Sequence, residues 1–304
     1  MRQSGLLVLT SLGWALGVAA TGPSSVAAQN LDTVQVQTVP VAPGLYMLRG
    51  AGGNIGLSVG TDGPFLVDDQ YAPLTEKIQR AVRALTPQPI RFVLNTHWHG
   101  DHTGGNENLG KAGALIVAHE NVRERMSVEQ FLELFQRTVP ASPPAALPVI
   151  TFTDAVTFHW NGEEIHAFHV EHAHTDGDAI IHFRKANAVH MGDVYFNGFY
   201  PFIDVSSEGS VNGMIAAAER VLAMIGADTK VIPGHGPLSN AQELRAYRDM
   251  LAAVRDRVKR LIAEGKTREQ VTAARPTAEF DTEWGDGFMP PDRFVDILYT
   301  DLSR

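Results

Sequence analysis

The sequence predicts a mixed α/β fold, and three observations carry that expectation. A β-meander opens the folded part of the chain. A helix-then-strand crossover follows it and ends in a histidine-rich loop. The strand-rich then helix-rich rhythm occurs twice. With 304 residues, 44% of them hydrophobic and 19% charged, the chain can bury a sizeable core and has no composition that marks disorder.

The first 28 residues read separately from the rest. Arg2 is their only charge, an apolar run extends from about Leu6 to Ala20, and Val26-Ala27-Ala28 supplies small residues for cleavage, the pattern of a secretory signal peptide. The run is shorter than the roughly 20 residues that span a bilayer. The expectation is export to the periplasm with no stable membrane anchor, leaving a folded domain over 29–304.

Short strands are expected over 44–49, 54–59 and 64–67, the last two joined by Thr61-Asp62-Gly63-Pro64. Apolar residues at helical spacing predict a helix over 73–85, and 89–94 reads as a buried strand ending at Asn95-Thr96-His97. A strand over 114–117 precedes helical stretches over 120–126 and 128–138 and a proline-rich connector over 140–148. Asn161-Gly162 is a strong hairpin signal between strands over 155–160 and 163–170, because both residues tolerate positive φ. A second hairpin pairs 178–184 with 188–191. A helix over 210–225, a strand over 230–232 and a long amphipathic helix over 239–264 follow, with 240–304 reading as a helical C-terminal extension.

The charge balance, 25 Lys+Arg against 34 Asp+Glu, gives −9, and loss of Arg2 makes it more negative still, so no broad footprint for nucleic acid exists. Cysteine is absent, which removes disulfides, thiol nucleophiles and thiolate metal sites. The 12 histidines then stand out.

Six consecutive residues, His97-Trp98-His99-Gly100-Asp101-His102, hold four groups able to bind a metal, directly after a buried strand. In an extended segment His97 and His99 project the same way and can grip one ion, while Asp101 and His102 fall on the following turn and can grip another. His174 opens His-Thr-Asp-Gly-Asp, Asp193 closes His-Met-Gly-Asp, and His235 lies in Pro-Gly-His-Gly-Pro, each after a predicted strand. Five histidines and two aspartates suffice for two ions with a position left for water. Imidazole and carboxylate without thiolate suit two Zn2+, with Fe or Mn as alternatives.

At these residues the sequence resembles the metallo-β-lactamase superfamily, all four motifs occurring in order between about Gly44 and Pro237. The resemblance implies an αββα sandwich of two mixed sheets with outer helices. It implies that His97, His99 and His174 bind a first zinc and Asp101, His102 and His235 a second, with Asp193 bridging. It also implies hydrolysis of a small carbonyl substrate by metal-bound hydroxide, with Asp101 orienting that nucleophile. One branch that destroys antibiotics has cysteine at the Asp193 position and a lysine where Phe196 stands. Aspartate resembles instead the glyoxalase II, lactonase, arylsulfatase and ribonuclease Z branches. Because export places the enzyme where β-lactams act, β-lactam hydrolysis is the leading expectation. The alternatives are an ester, lactone or thioester hydrolase, and a non-catalytic metal- or ligand-binding module. A nuclease is opposed by charge, and a flavodiiron reading by His99 in place of glutamate.

Weaker signals have plain structural readings. Gly56-Leu57-Ser58-Val59-Gly60 has the spacing of a serine-hydrolase elbow but no following helix, so Ser58 reads as a strand residue. His174 fits its motif better than His172, and His190 reads as strand interior or as support for the site. Trp98, Phe196, Phe199 and Tyr200 are candidates for packing or for the wall of a substrate pocket, and the 126–148 segment is a candidate cover for the site.

Overall fold

The computed structural model describes residues 30–304, so the signal-peptide expectation lies outside the described residues. The first sheet contains β1 (Gln37–Ala42), β2 (Leu45–Arg49), β3 (Ile55–Ser58), β4 (Phe65–Val67), β5 (Phe92–Leu94) and β6 (Leu115–His119). Beyond a separate hairpin of β7 (Gln130–Leu132) and β8 (Arg137–Val139), it closes with β9 (Ile150–Phe152). The meander β1 to β4 is antiparallel, and β4, β5, β6 and β9 run parallel in that order. The second sheet orders β10 (Ala155–Trp160), β11 (Glu163–His169), β12 (Ala179–Phe183), β13 (Ala188–His190), β14 (Lys230–Ile232) and β15 (Ser239–Asn240), with β13 and β14 parallel. Both sheets are mixed, as the sequence implied.

Period-two alternation sends side chains to two different cores. Phe65 and Val67 of β4 meet Ile165, Ala167, Ile181 and Phe183 of the second sheet, forming the layer between the sheets. Leu66 points the other way, with Leu57, Val93 and Ile116, onto α1 (Thr75–Arg83). α2 (Gly100–Thr103), α3 (Asn106–Lys111) and α4 (Glu120–Ser127) also belong to this half of the chain. Ile180, Val189 and Val231 of the second sheet face α5 (Val211–Met224) and α6 (Ala241–Ala263). The C-terminal segments α7 (Arg268–Ala273), α8 (Asp281–Trp284) and α9 (Pro291–Leu302) add Val271, Trp284 and Phe294 to the same core. The layers are therefore helix, sheet, sheet, helix.

Local chemistry explains the boundaries. Asn161 and Gly162 take φ of 55° and 72°, the positive pair that a tight hairpin needs. Ser210 accepts from the Gly213 N–H to cap α5, and the Asn240 side chain accepts from Gln242 and Glu243 to cap α6.

Two expectations need correction. The segment over 128–138 is not a helix: β7 and β8 pair around a 3-10 turn at Glu133–Phe135, and Gln136 is left-handed at φ 48°. Its apolar residues never share one buried face. Leu134 packs toward the helical core, Leu132 and Val139 pack toward Trp98, and Phe131 and Phe135 stay half exposed. The edge strands β1 and β9 also escape the sequence reading, because edges are half exposed and lack clean alternation; β1 even contains Pro40, which only an edge tolerates.

Candidate metal centre

The ends of β4, β5, β11, β13 and β14 meet at one rim of the sandwich. There the Ala179 N–H of the second sheet donates to the Thr96 carbonyl, and the Asn54 N–H donates to the Gly234 carbonyl, tying the loops together. All seven sequence-predicted ligands arrive at this rim. His97, His99 and His174 form one trio and Asp101, His102 and His235 another, the donor atoms of each lying within 4.8 Å of one another. Asp193 stands between them. Its Oδ2 is 3.9 Å from His97 Nε2 and 3.6 Å from His174 Nε2, and its Oδ1 is 3.0 Å from His102 Nε2 and 3.4 Å from His235 Nε2. Asp101 Oδ2 lies 3.2 Å from His235 Nε2 and 3.7 Å from His102 Nε2.

Close backbone approach makes this packing possible. A Cβ on Gly234 would fall 2.1 Å from Asp193 Oδ1, and one on Gly53 would fall 2.1 Å from His102 Cε1, so only glycine fits at either position.

The far side of four of the five rings is held as well. His102 donates from Nδ1 to Asp68 Oδ2 at 2.7 Å, and His99 donates from Nε2 to Asp204 Oδ2 at 2.9 Å. His174 donates from Nδ1 to the Phe202 carbonyl at 2.8 Å, and Thr96 Oγ1 stands 3.0 Å from His97 Nδ1. Asp68 is fixed in turn by the N–H and hydroxyl of Thr96, and Asp204 by the hydroxyls of Ser206 and Ser207. Asp178 accepts the N–H groups of His174 and Thr175, and burial pushes its carboxyl up to about 8. Such outer partners set tautomer and ring orientation in metal sites.

This arrangement fits a cation. His99 and His174 have committed their N–H groups outward, so the nitrogens that face each other at 2.9 Å are both lone pairs in the neutral rings. His97 Nε2 is buried with no hydrogen-bond partner. A positive ion among these nitrogens satisfies all three. Electrostatics separates the trios. Burial takes His97 well below the ordinary imidazole value and His174 down to about 4. His102 is buried and His235 partly exposed, and Asp193 and Asp101 raise both, His235 to about 9. Burial would raise Asp101 and Asp193, but His102 and His235 hold both carboxyls well below the usual range.

Solvent reaches the centre at Asp101 and His235, whose side chains are 22% and 20% exposed. The predicted aromatics divide around this opening. Phe196 is buried and stacks on His235 with ring centroids 5.4 Å apart, and Phe199 is half-buried beside Phe288. Tyr200 is not a pocket residue: its buried ring stacks on Phe294 and its hydroxyl donates to the Thr277 carbonyl and Asp281. Nor does Trp98 present a free face, since it packs with Ala118, Val122 and Met126 and donates from Nε1 to Ser207. His172 is exposed and outside both trios. His190 is buried, with Nε2 on the Asn54 carbonyl, and Ser58 Oγ only accepts from Asn161.

Sequence reasoning missed Asp68 and Asp204. Asp68-Asp69-Gln70 directly follows a buried strand, the same signal that located His97. Asp204 carries no comparable signal.

A sequence model of the metallo-beta-lactamase superfamily matches residues 49–260. The hydroxyacylglutathione hydrolase of Polaromonas sp. strain JS666 is 27% identical over 217 residues, 69% of this chain and 73% of that one. The hydroxyacylglutathione hydrolase of Nitrosococcus oceani is 27% identical over 158 residues, 50% of each chain. Among solved structures, a metallo-beta-lactamase from Pontibacter korlensis superposes with a TM-score of 0.60 at 17% identity, covering 72% of this chain and 99% of that one. A stereoselective inverting sec-alkylsulfatase from Pseudomonas sp. superposes at 0.65 and 17% identity, covering 87% of this chain and 50% of that one. These two likenesses show a shared fold. The family-model match, which spans more than half of the chain, shows that the protein belongs to the metallo-beta-lactamase superfamily, and with the hydroxyacylglutathione hydrolase relatives it marks a metal-dependent hydrolase.

Proposed function

We propose that the protein holds two divalent cations, zinc by donor chemistry, and hydrolyses a small ester or thioester. The observation that carries this reading is Asp193, whose two oxygens face different trios, so that one carboxylate serves both positions. His97, His99 and His174 hold the first cation, and Asp101, His102 and His235 the second. Relatives named for a thioester, hydroxyacylglutathione, support the thioester alternative over the β-lactam that export suggested.

When bound, a cation pair supplies a Lewis acid for the carbonyl oxygen and an activated water near neutral pH. The chain's own residues do the positioning. Asp101 stays ionised and partly exposed at the opening, so it accepts a hydrogen bond from the attacking water rather than storing a proton. Asp68, Asp204 and the Phe202 carbonyl fix His102, His99 and His174, so the donor set is in place before substrate arrives. Export to the periplasm, read from the N-terminal 28 residues, belongs to the same proposal.

The test is turnover by metal-loaded protein of an acyl thioester, an aryl ester, a lactone and a chromogenic β-lactam, with bound metal counted in the same sample. Thioester or ester cleavage that chelator abolishes and zinc restores is expected. Cleavage of the β-lactam alone would overturn the reading.

A further inference from the structure

We infer that the β7–β8 hairpin and Phe288 form the substrate-selecting wall of the centre, and that the wall is built for a thioester or ester with an apolar acyl chain. The inference rests on the proposed function for the bond cleaved and goes beyond it in naming what is attached to that bond. Two aromatic stacks grow outward from the metal-site histidines. On one side Phe202 stacks on His99 at 5.6 Å and 24°, and Phe135, at the hairpin turn, meets Phe202 edge-on at 5.0 Å. On the other, Phe196 stacks on His235 and Phe288 meets Phe196 at 5.9 Å and His235 at 6.3 Å. Each stack ends in solvent, with Phe135 46% and Phe288 54% exposed.

Single exposed phenylalanines are ordinary. Two that each terminate a stack founded on a different trio are not scattered: Phe288 stands beside the partly exposed His235, and Phe135 stands on the His99 side. Through Phe135 and Phe202 the hairpin reaches His99 of one trio, and Phe288 reaches His235 of the other. A ligand seated here meets phenylalanine rings, which gain from covering methylenes and offer nothing to the carboxylates of a glutathione group.

The experiment uses full-length, metal-loaded protein and N-acetylcysteamine thioesters from acetyl to octanoyl. Burial of each added methylene predicts a rise in kcat/KM of about 4-fold per CH2. F135A and F288A should flatten that slope. L115A, which alters a 43% exposed side chain at the start of β6 outside the wall, should preserve it. A merely structural role would lower all thioesters in parallel and leave the slope intact, and that result overturns the inference. Calorimetric titration of octanoate and acetate into metal-free protein gives a second readout, with octanoate preferred and the preference lost in F135A. Octanoate preference without turnover of any ester or thioester would sink the proposed function and keep the wall. Turnover with no chain-length dependence would keep the function and sink the wall.

Discussion

The two trios of the centre share Asp193 but sit at opposite electrostatic ends. Burial lowers His97 and His174, which face Asp193 Oδ2 at 3.6–3.9 Å. His102, buried, and His235, partly exposed, are raised above the ordinary imidazole value, because Asp193 Oδ1 and Asp101 approach them at 3.0–3.7 Å. Close carboxylates outweigh burial at the second trio. In the inner trio, His97, His99 and His174, burial holds His97 and His174 toward the neutral form that a cation needs. The outer trio, Asp101, His102 and His235, must exchange protons for metal and stands open to solvent.

The largest expected effect comes from the residue the trios share. Asp193→Ala should reduce bound metal from two ions to one or none and bring hydrolysis to background, measured by metal analysis and turnover with circular dichroism as the fold control. Retention of both ions would break the view of Asp193 as common to the two positions. A smaller effect separates them. Asp68→Ala removes the partner of His102 and should weaken the outer cation about 10–100-fold, while Asp204→Ala removes the partner of His99 and should weaken the inner one similarly. Cobalt spectra during stepwise loading tell the positions apart. Equal losses at both positions in both variants would show that the trios are not independent.

The inner and outer donors were legible in the sequence because each follows a short buried strand and sits in a glycine-bearing turn. Strand ends and turns are local properties. Asp204, the partner of His99, was not legible, since it lies 105 residues away along the chain. The hairpin was misread for a related reason. Val128, Phe131, Leu132 and Phe135 have helical spacing, but tertiary contacts draw Leu132 toward Trp98 and Phe135 toward Phe202, and that pull overrides the local period. Tyr200 failed as a pocket residue because proximity to Asp193 in sequence says nothing about its hydroxyl, which the C-terminal segment claims through Thr277 and Asp281.

Acidity sharpens the contrast further. His235 is raised to about 9 from the ordinary 6.5, so its proton competes with the outer cation below that pH. Outer affinity should climb with pH by up to about tenfold per unit for this one proton and level off above about 9. His174, lowered to about 4, has lost its proton before neutrality, so its contribution to inner affinity should be flat from pH 6 to 9. Calorimetry in buffers of different ionisation enthalpy counts the protons released at each step, and equal release at both steps would contradict the assignment.

The smallest effect tests how far the inner support extends. Trp98 Nε1 donates to Ser207 Oγ at 3.1 Å, and that hydroxyl donates to Asp204 Oδ2 at 2.6 Å, which in turn receives His99. Trp98→Phe keeps the packing against Val122 and Met126 but deletes the first link, at a net cost of about 1 kcal/mol. For a chain of this size a melting-temperature drop of about 1.5–2 °C follows. Because Ser207 and Asp204 remain paired, the inner cation should weaken by less than in Asp204→Ala, and outer affinity should not change. A loss at the outer position would mean that the two trios communicate through the loops rather than through Asp193 alone.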